Sequence, residues 1–415
     1  MARDRFYAGD LTQSAEAFTA RIGRHESDAD VLEMDLAIVR LLAGDTHESQ
    51  QKLRVVRDHF DTLEQADPVA SMVSMVTDDQ RRVYAGEDYE KVLLRVFLAL
   101  ANLMDDGQDA EAYSLQVNAL QQRLLRRALD QNVEAAETAY QPLAVGPYLR
   151  GVLREATLHD YDDAARAYDQ VVAWQPSFHA GRLDLRRART GQHSQPGNGV
   201  LYVFALVDQG PMKEESIETP TSAALLIADR IVSAVGEYEL PPTVAPIKVP
   251  RIIIPRRQSD GAVVVVDDRP VGRTELICDI GQLALRQQAV QYPHVMARAI
   301  ARRVIKKASI YAAKDYVDAG NSPWADLALT AAGVAWEATE SADTRCWGVL
   351  PREIQVLRVE LPAGPHQIQL RSLVGGAPVP LDQSVTADIA DGRNTYVLAY
   401  FVGSHALGHI LRNTP

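Results

Sequence analysis

A chain of 415 residues is too long for one ordinary hydrophobic core, so two or three domains are expected. Its 55 acidic residues against 43 basic ones give a net charge of −12, which repels a phosphate backbone and argues against nucleic acid as the main partner. Two cysteines, Cys278 and Cys346, are too few for a disulfide framework, and no apolar run is long enough to span a bilayer.

The chain opens without a signal-peptide pattern, since Arg3, Asp4, Arg5 and Asp10 stand where a basic start and an apolar run would be. Self-similarity follows at once. Ala8-Gly9-Asp10-Leu11, then Ala15, Ala17 and Phe18, recurs as Ala43-Gly44-Asp45-Thr46 after 35 residues, close to the tetratricopeptide period. A third copy runs from His159-Asp160-Tyr161 through Ala167-Tyr168 to Trp174-Gln175-Pro176, and Gly107 to Tyr113 is a looser fourth. Small residues let the two helices of a hairpin approach, while Phe18 and Tyr168 fill the groove toward the next hairpin. The expected architecture for residues 1–190 is therefore a TPR-like helical solenoid. Because the unit at Ala8-Gly9-Asp10 has little chain ahead of it for a partner helix, further upstream residues carrying an export signal are expected.

Glu87, Asp88 and Glu90 follow Gly86 and precede a long apolar run, which suits a helix entry whose acids face the positive end of the dipole. The competing reading is an acidic loop that binds a ligand. The polar, Gly-rich stretch 190–199 ends the helical half.

Beyond it the apolar period changes to that of strands. Residues 200–207 read as a strand, 221–235 as a helix, and 252–254 and 262–266 as strands, with the prolines around 241–255 restricting 252–254 to an edge or an irregular segment. Helices are expected from Gly281 to Val317 and from Pro323 to Glu340, giving a mixed α/β domain over 199–341. Lys213-Glu214-Glu215 after Gly210-Pro211 reads as a solvated turn or a binding surface. Arg298, Arg302 and Lys306 share a helix face by their i, i+4 spacing, which fits either a solvated face or contact with anionic lipid or an acidic partner.

Arg345 beside Trp347, with Asp343 two residues earlier, suggests a loop clamp or a binding surface. Trp347 is expected to be buried against the helices of 281–340. Strands at 355–361, 366–370, 385–389 and 395–402, separated by Gly-containing turns, predict a small β-sandwich over 342–415 packed on the preceding domain. The fold class is thus α+β and multidomain.

Tyr84-Ala-Gly-Glu-Asp-Tyr-Glu-Lys-Val-Leu, Gly210-Pro-Met-Lys-Glu-Glu, Arg298-Ala-Ile-Ala-Arg302, Ala342-Asp-Thr-Arg-Cys-Trp and Leu350-Pro-Arg-Glu-Ile-Gln resemble an uncharacterised family of bacterial cell-envelope proteins, over roughly residues 30 to 400. The C-terminal strands are similar to β-sandwich modules of the PEGA type through Leu361-Pro-Ala-Gly and Asp391-Gly392. The resemblance implies an exported, often lipid-anchored protein of the periplasm or outer membrane, although this sequence lacks a lipobox Cys.

Motifs for chemistry are weak. His405 and His409 have metal-binding spacing but lack a third ligand and a zincin Glu. Neither a phosphate loop, nor a dinucleotide fingerprint, nor a nucleophile elbow occurs. No cofactor or metal is expected. The leading expectation is a non-enzymatic interaction protein that binds an envelope protein or peptide through its helical groove. An enzyme or accessory acting on an envelope polymer would need Asp343, Glu353 and Lys213-Glu214-Glu215 to converge. A carrier of lipid or a small apolar ligand would need a cavity under the Ala-rich helix 325–338.

Overall fold

The computed structural model describes residues 2–24, 26–65, 83–130, 133, 135–235, 240–241, 244–316 and 341–413, with the backbone alone for 306–316. The helix expected at Pro323–Glu340, and with it the cavity expected under 325–338, lies outside the described residues. The chain is α+β, about 49% helix against 26% strand, with several sheets.

The first half is helical: α1 (Ala2–Tyr7), α2 (Leu11–Ile22), α3 (Ala29–Leu42), α4 (Thr46–Gln65), α5 (Asp88–Leu103), α6 (Ala110–Asp130), the one-turn α7 (Ala136–Ala139), α8 (Val145–Glu155), α9 (Tyr161–Trp174) and α10 (His179–Arg189). From α2 to α6, and again from α8 to α10, each helix packs on the next in sequence, and α6 also packs on α8. Local chemistry sets the starts. Asp10 accepts the Gln13 N–H at 2.9 Å to cap α2, and the Glu90 side chain accepts the Glu87 N–H at 3.0 Å in a capping box that opens α5. The repeat unit read at Ala8-Gly9-Asp10 does have a partner ahead of it, the short α1, whose Phe6 is buried. Tyr168 is also buried, and a Cβ on Gly151 would lie 2.6 Å from its ring, so the bare glycine lets α8 and α9 meet around that side chain.

The second half contributes β1 (Asn198–Gln209), β2 (Met212–Glu218), α11 (Ser222–Val235), β3 (Ile247–Ile253), β4 (Ala262–Val266), β5 (Arg269–Arg273), β6 (Glu275–Asp279), α12 (Ile280–Tyr316), β7 (Pro351–Pro362), β8 (Gly364–Val374), β9 (Ala377–Ile389), β10 (Asn394–Val402) and the short β11 (His405–Ala406) and β12 (Leu411–Arg412). One sheet has the order β11-β10-β1-β7-β6, with β12 also on β10; a second has β5-β4-β8-β9; β2 and β3 form a two-stranded ribbon. Only the β1–β10 pairing is parallel, and the other pairings described are antiparallel.

This topology corrects the expected boundary at 341/342. The strands of 342–415 do not make a sandwich of their own: β7 and β10 flank β1, β7 also pairs β6, and β8 pairs β4. Two sheets do share one core, but both draw strands from 198–279 and from 351–412. Short-range pattern reveals that a segment is a strand, whereas its neighbours are set by burial across long separations.

β1 explains how the layers join. Leu201, Val203, Ala205 and Val207 face the four-stranded sheet, where Val264, Val266, Ile368 and Leu370 complete one core. Tyr202, Phe204 and Leu206 face the other way and belong to the core of the helical half. Both faces being covered, the strand reads as a continuous apolar run instead of an alternation. An aromatic pair fastens this second interface, with Phe6 of α1 at 5.7 Å from Tyr400 of β10.

Candidate functional site

Glu87, Asp88, Glu90, Lys213, Asp343 and Arg345, singled out from sequence, gather where the N-terminus of α5, the start of β2 and the loop 341–350 meet. Between β1 and β2, the strand that carries Lys213, lies Gly210, whose N–H donates to the Leu350 carbonyl at 2.8 Å. A Cβ at Gly210 would lie 2.5 Å from that same oxygen, so no other residue allows the approach. The Lys213 ammonium pairs with Glu87, and its side chain is only 6% exposed. Burial disfavours its charge, but Glu87 and Glu90 outweigh that and hold the proton more firmly than on an ordinary lysine. The solvated turn expected at 213–215 is instead part of strand β2, in which Lys213 is enclosed while Glu214 and Glu215 are exposed. Glu215 bonds to Lys248 at 3.0 Å and accepts the Ala342 N–H at 2.9 Å.

Glu90 is fully buried. Its carboxylate receives the Tyr84 hydroxyl, the Glu87 N–H and the Trp347 N–H, the last at 2.8 Å. Burial raises its pKa, Lys213 opposes the shift and Glu87 adds to it. Asp88 binds Arg127 at 2.8 Å, the Tyr140 hydroxyl at 2.7 Å and Gln291 of α12 at 3.1 Å. The acidic stretch is thus a helix entry tied into neighbouring elements.

Asp343 accepts the Arg345 backbone N–H at 3.0 Å and two guanidinium donors at 2.9 and 2.8 Å. Burial works against its charge, and Arg345 outweighs burial to hold the carboxyl below its ordinary value. Arg345 also donates to the Ser27 carbonyl at 2.8 Å and lies 5.4 Å from the Tyr84 ring centroid. Trp347 is completely buried, but its partner differs from the one expected: its ring is 5.4 Å from Phe97 of α5, in the first half of the chain.

Two residues that sequence reasoning missed complete the junction. Asp35 of α3 is fully buried and accepts the Gly348 and Val349 N–H groups at 2.9 and 3.2 Å and the Arg3 Nε at 3.0 Å. Arg3 also donates to the Cys346 carbonyl at 2.5 Å. An acid in the apolar run of α3 was the available signal. Cys346 and Cys278 are free thiols, and burial raises the pKa of both.

The space among the described residues at this junction is small. A cavity of about 30 Å³, lined in part by Glu87, Tyr89, Lys213, Gln287 and Gln291, offers room for a water or two. Glu353 lies elsewhere, buried in β7 against Arg257 and Gln355.

The basic helix departs from expectation. Residues 296, 297 and 299–302 of α12 are all buried, so Arg302 is enclosed, Arg298 is half-buried, and the one-sided basic face does not form. Met296, Ala297 and Ile300 share a core with Ala224 and Ala228 of α11 and Val249 of β3. The side chain of Lys306 lies outside the described residues. His405 is in β11 and its ring sits over Gly9, and no group of three metal-binding side chains occurs among the described residues. Among those residues no helix is long and apolar enough to cross a membrane.

Open grooves lie instead on the helical half. One of about 550 Å³ runs between α2 and α3, beside Ala15, Glu16, Thr19, Ala20, Val39 and Arg40. Another of about 630 Å³ follows α6 along Ala119, Gln122, Arg123, Arg126, Arg127 and Asp130. The arginine spacing 123, 126, 127 on an amphipathic helix is the sequence signal for the second. Comparison with protein-family models, curated proteins and solved structures finds no match to this chain.

Proposed function

We propose that this chain is a non-enzymatic interaction protein of the bacterial cell envelope, in which a solenoid-like helical half binds a protein or peptide and the sheets serve as its rigid support. The observation that carries this reading is the contrast in space: the clustered charges enclose about 30 Å³, whereas grooves of 550 and 630 Å³ open on α2–α3 and α6. Ligand sites for drug-sized molecules usually occupy about 300–1,000 Å³. The charged side chains at the junction are spent on each other, as Lys213 on Glu87, Arg345 on Asp343 and Arg3 on Asp35. Such commitments suit a clamp between halves better than acid–base work, which needs a group free to meet a substrate.

The envelope setting rests on the family resemblance of the quoted motifs and makes the mature protein periplasmic, with or without a lipid anchor. Fractionation of the full-length product, together with an activity screen on cell-wall polymers, tests the reading. Envelope localisation without turnover supports it; a cytosolic product removes the localisation, and turnover that disappears on changing Asp343 or Glu353 replaces the binding role by an enzymatic one.

A further inference from the structure

The α6 groove has a chemistry that names its occupant, an inference that rests on the interaction reading above. Arg123, Arg126 and Arg127 line it, and among its described lining residues Asp130 is the one acid. Arg123 and Arg127 are 57% and 42% exposed although they touch carboxylates. Arg123 lies 3.3 Å from Glu64 and 3.6 Å from Asp61; Arg127 lies 3.4 Å from Glu64 and 2.8 Å from Asp88.

Those acids are already shared. Lys91 bonds to Glu64 at 2.9 Å and Arg95 to Asp61 at 2.7 Å. Arg126 is exposed and has no carboxylate partner among the described residues. Among the described residues, five cations, Lys91, Arg95, Arg123, Arg126 and Arg127, therefore stand against the four acids Asp61, Glu64, Asp88 and Asp130, leaving an excess of positive charge on the groove, where three arginines face Asp130 alone. Glu64 feels it: burial opposes its ionisation, yet Lys91, Arg127 and Arg123 hold it below its ordinary pKa.

We infer that this face of α6 docks an acidic peptide segment of a partner protein, with Arg126 as the principal carboxylate contact and Arg123 and Arg127 as shared ones. Guanidinium groups at helical spacing present planar forks to successive carboxylates, which a point charge would not orient. The groove runs along the helix and suits a segment of several residues. A lipid surface or nucleic acid is disfavoured because an extended polyanion would meet the chain's charge of −12, while a short segment feels mainly what lies within a Debye length of about 8 Å.

The test uses the full chain and a fluorescein-labelled peptide rich in Asp and Glu, with the same peptide carrying Asn and Gln as control, read by anisotropy at low and physiological ionic strength. Binding of the acidic peptide alone is expected, weakening as salt rises. Arg126→Glu should lose about tenfold or more in affinity while Arg126→Lys retains most of it, with circular dichroism showing both variants folded. Equal binding of the two peptides, or unchanged affinity in Arg126→Glu, overturns the inference. So does displacement of the peptide by inorganic phosphate at matched charge, which would mark a small-anion site, or tighter binding to vesicles of anionic lipid. A chain that ignores the peptide but crosslinks a partner through the α2–α3 groove sinks this inference and leaves the broader reading standing.

Discussion

The Glu90 carboxylate accepts the backbone N–H of Trp347 at 2.8 Å, while the Trp347 ring packs 5.4 Å from Phe97, about two turns further along the same face of the helix. One helix, α5, thus holds the loop before β7 by a buried polar bond and an aromatic contact together. Trp347→Ala should cost about 3–5 kcal/mol, as truncation of a buried aromatic does. The indole N–H has no partner among the described residues, so Trp347→Phe should cost clearly less. Chemical denaturation of the three proteins checks the order.

Glu90 also predicts a pH dependence. Its folded pKa lies above the ordinary value of 4.5, chiefly through burial, so its contribution to stability is fully present below that value and is lost as pH rises through the folded pKa. Glu90→Gln removes this titration. The stability of the variant relative to the parent should therefore improve as pH rises from below 4.5 toward neutrality. A pH-independent difference in denaturation midpoints would contradict the assignment.

Arg345 is held by Asp343, the Ser27 carbonyl and the Tyr84 face, a set that a lysine cannot reproduce. Arg345→Lys should destabilise by about 1–3 kcal/mol through the charged hydrogen bonds it gives up. Unchanged thermal unfolding would show the clamp to be incidental.

Ala167 of α9 is 3% exposed, beside the buried Tyr168. Ala167→Leu should overpack that contact and cost about 1–3 kcal/mol, measurable as a lowered Tm. By contrast Ala17, named from the same repeat pattern, is only half-buried, and the same change there should be milder.

What could be read from the sequence divides along range. Helix entry at Glu87, the strand at 200–207 and the helix beginning near Gly281 rest on local caps and periodicity, and the structure has α5, β1 and α12 at those places. Lys213 was misread because the charge that justifies its burial, Glu87, stands 126 residues away. Arg302 was placed on a wet face by spacing alone, whereas enclosure of α12 on more than one side is a tertiary fact. The sheet order was equally hidden, since β1 finds its parallel partner only in β10, far along the chain.

That shared sheet gives a further expectation. A fragment of residues 342–415 made alone should remain unfolded by circular dichroism, because β7, β8 and β10 lack β1, β4 and β6 to pair with. A cooperative melt in that fragment would restore it as an independent domain.

The central claim, that the helical surface carries the function while the charged junction is a clamp, is tested most directly by site-specific photocrosslinking in the cells that make the protein. A photoreactive residue in place of exposed Gln122 on α6 should give a discrete protein adduct that disappears with Arg126→Glu, and one in place of exposed Glu214 on β2 should give none. An adduct from position 214 alone would contradict the account and make the junction the functional surface.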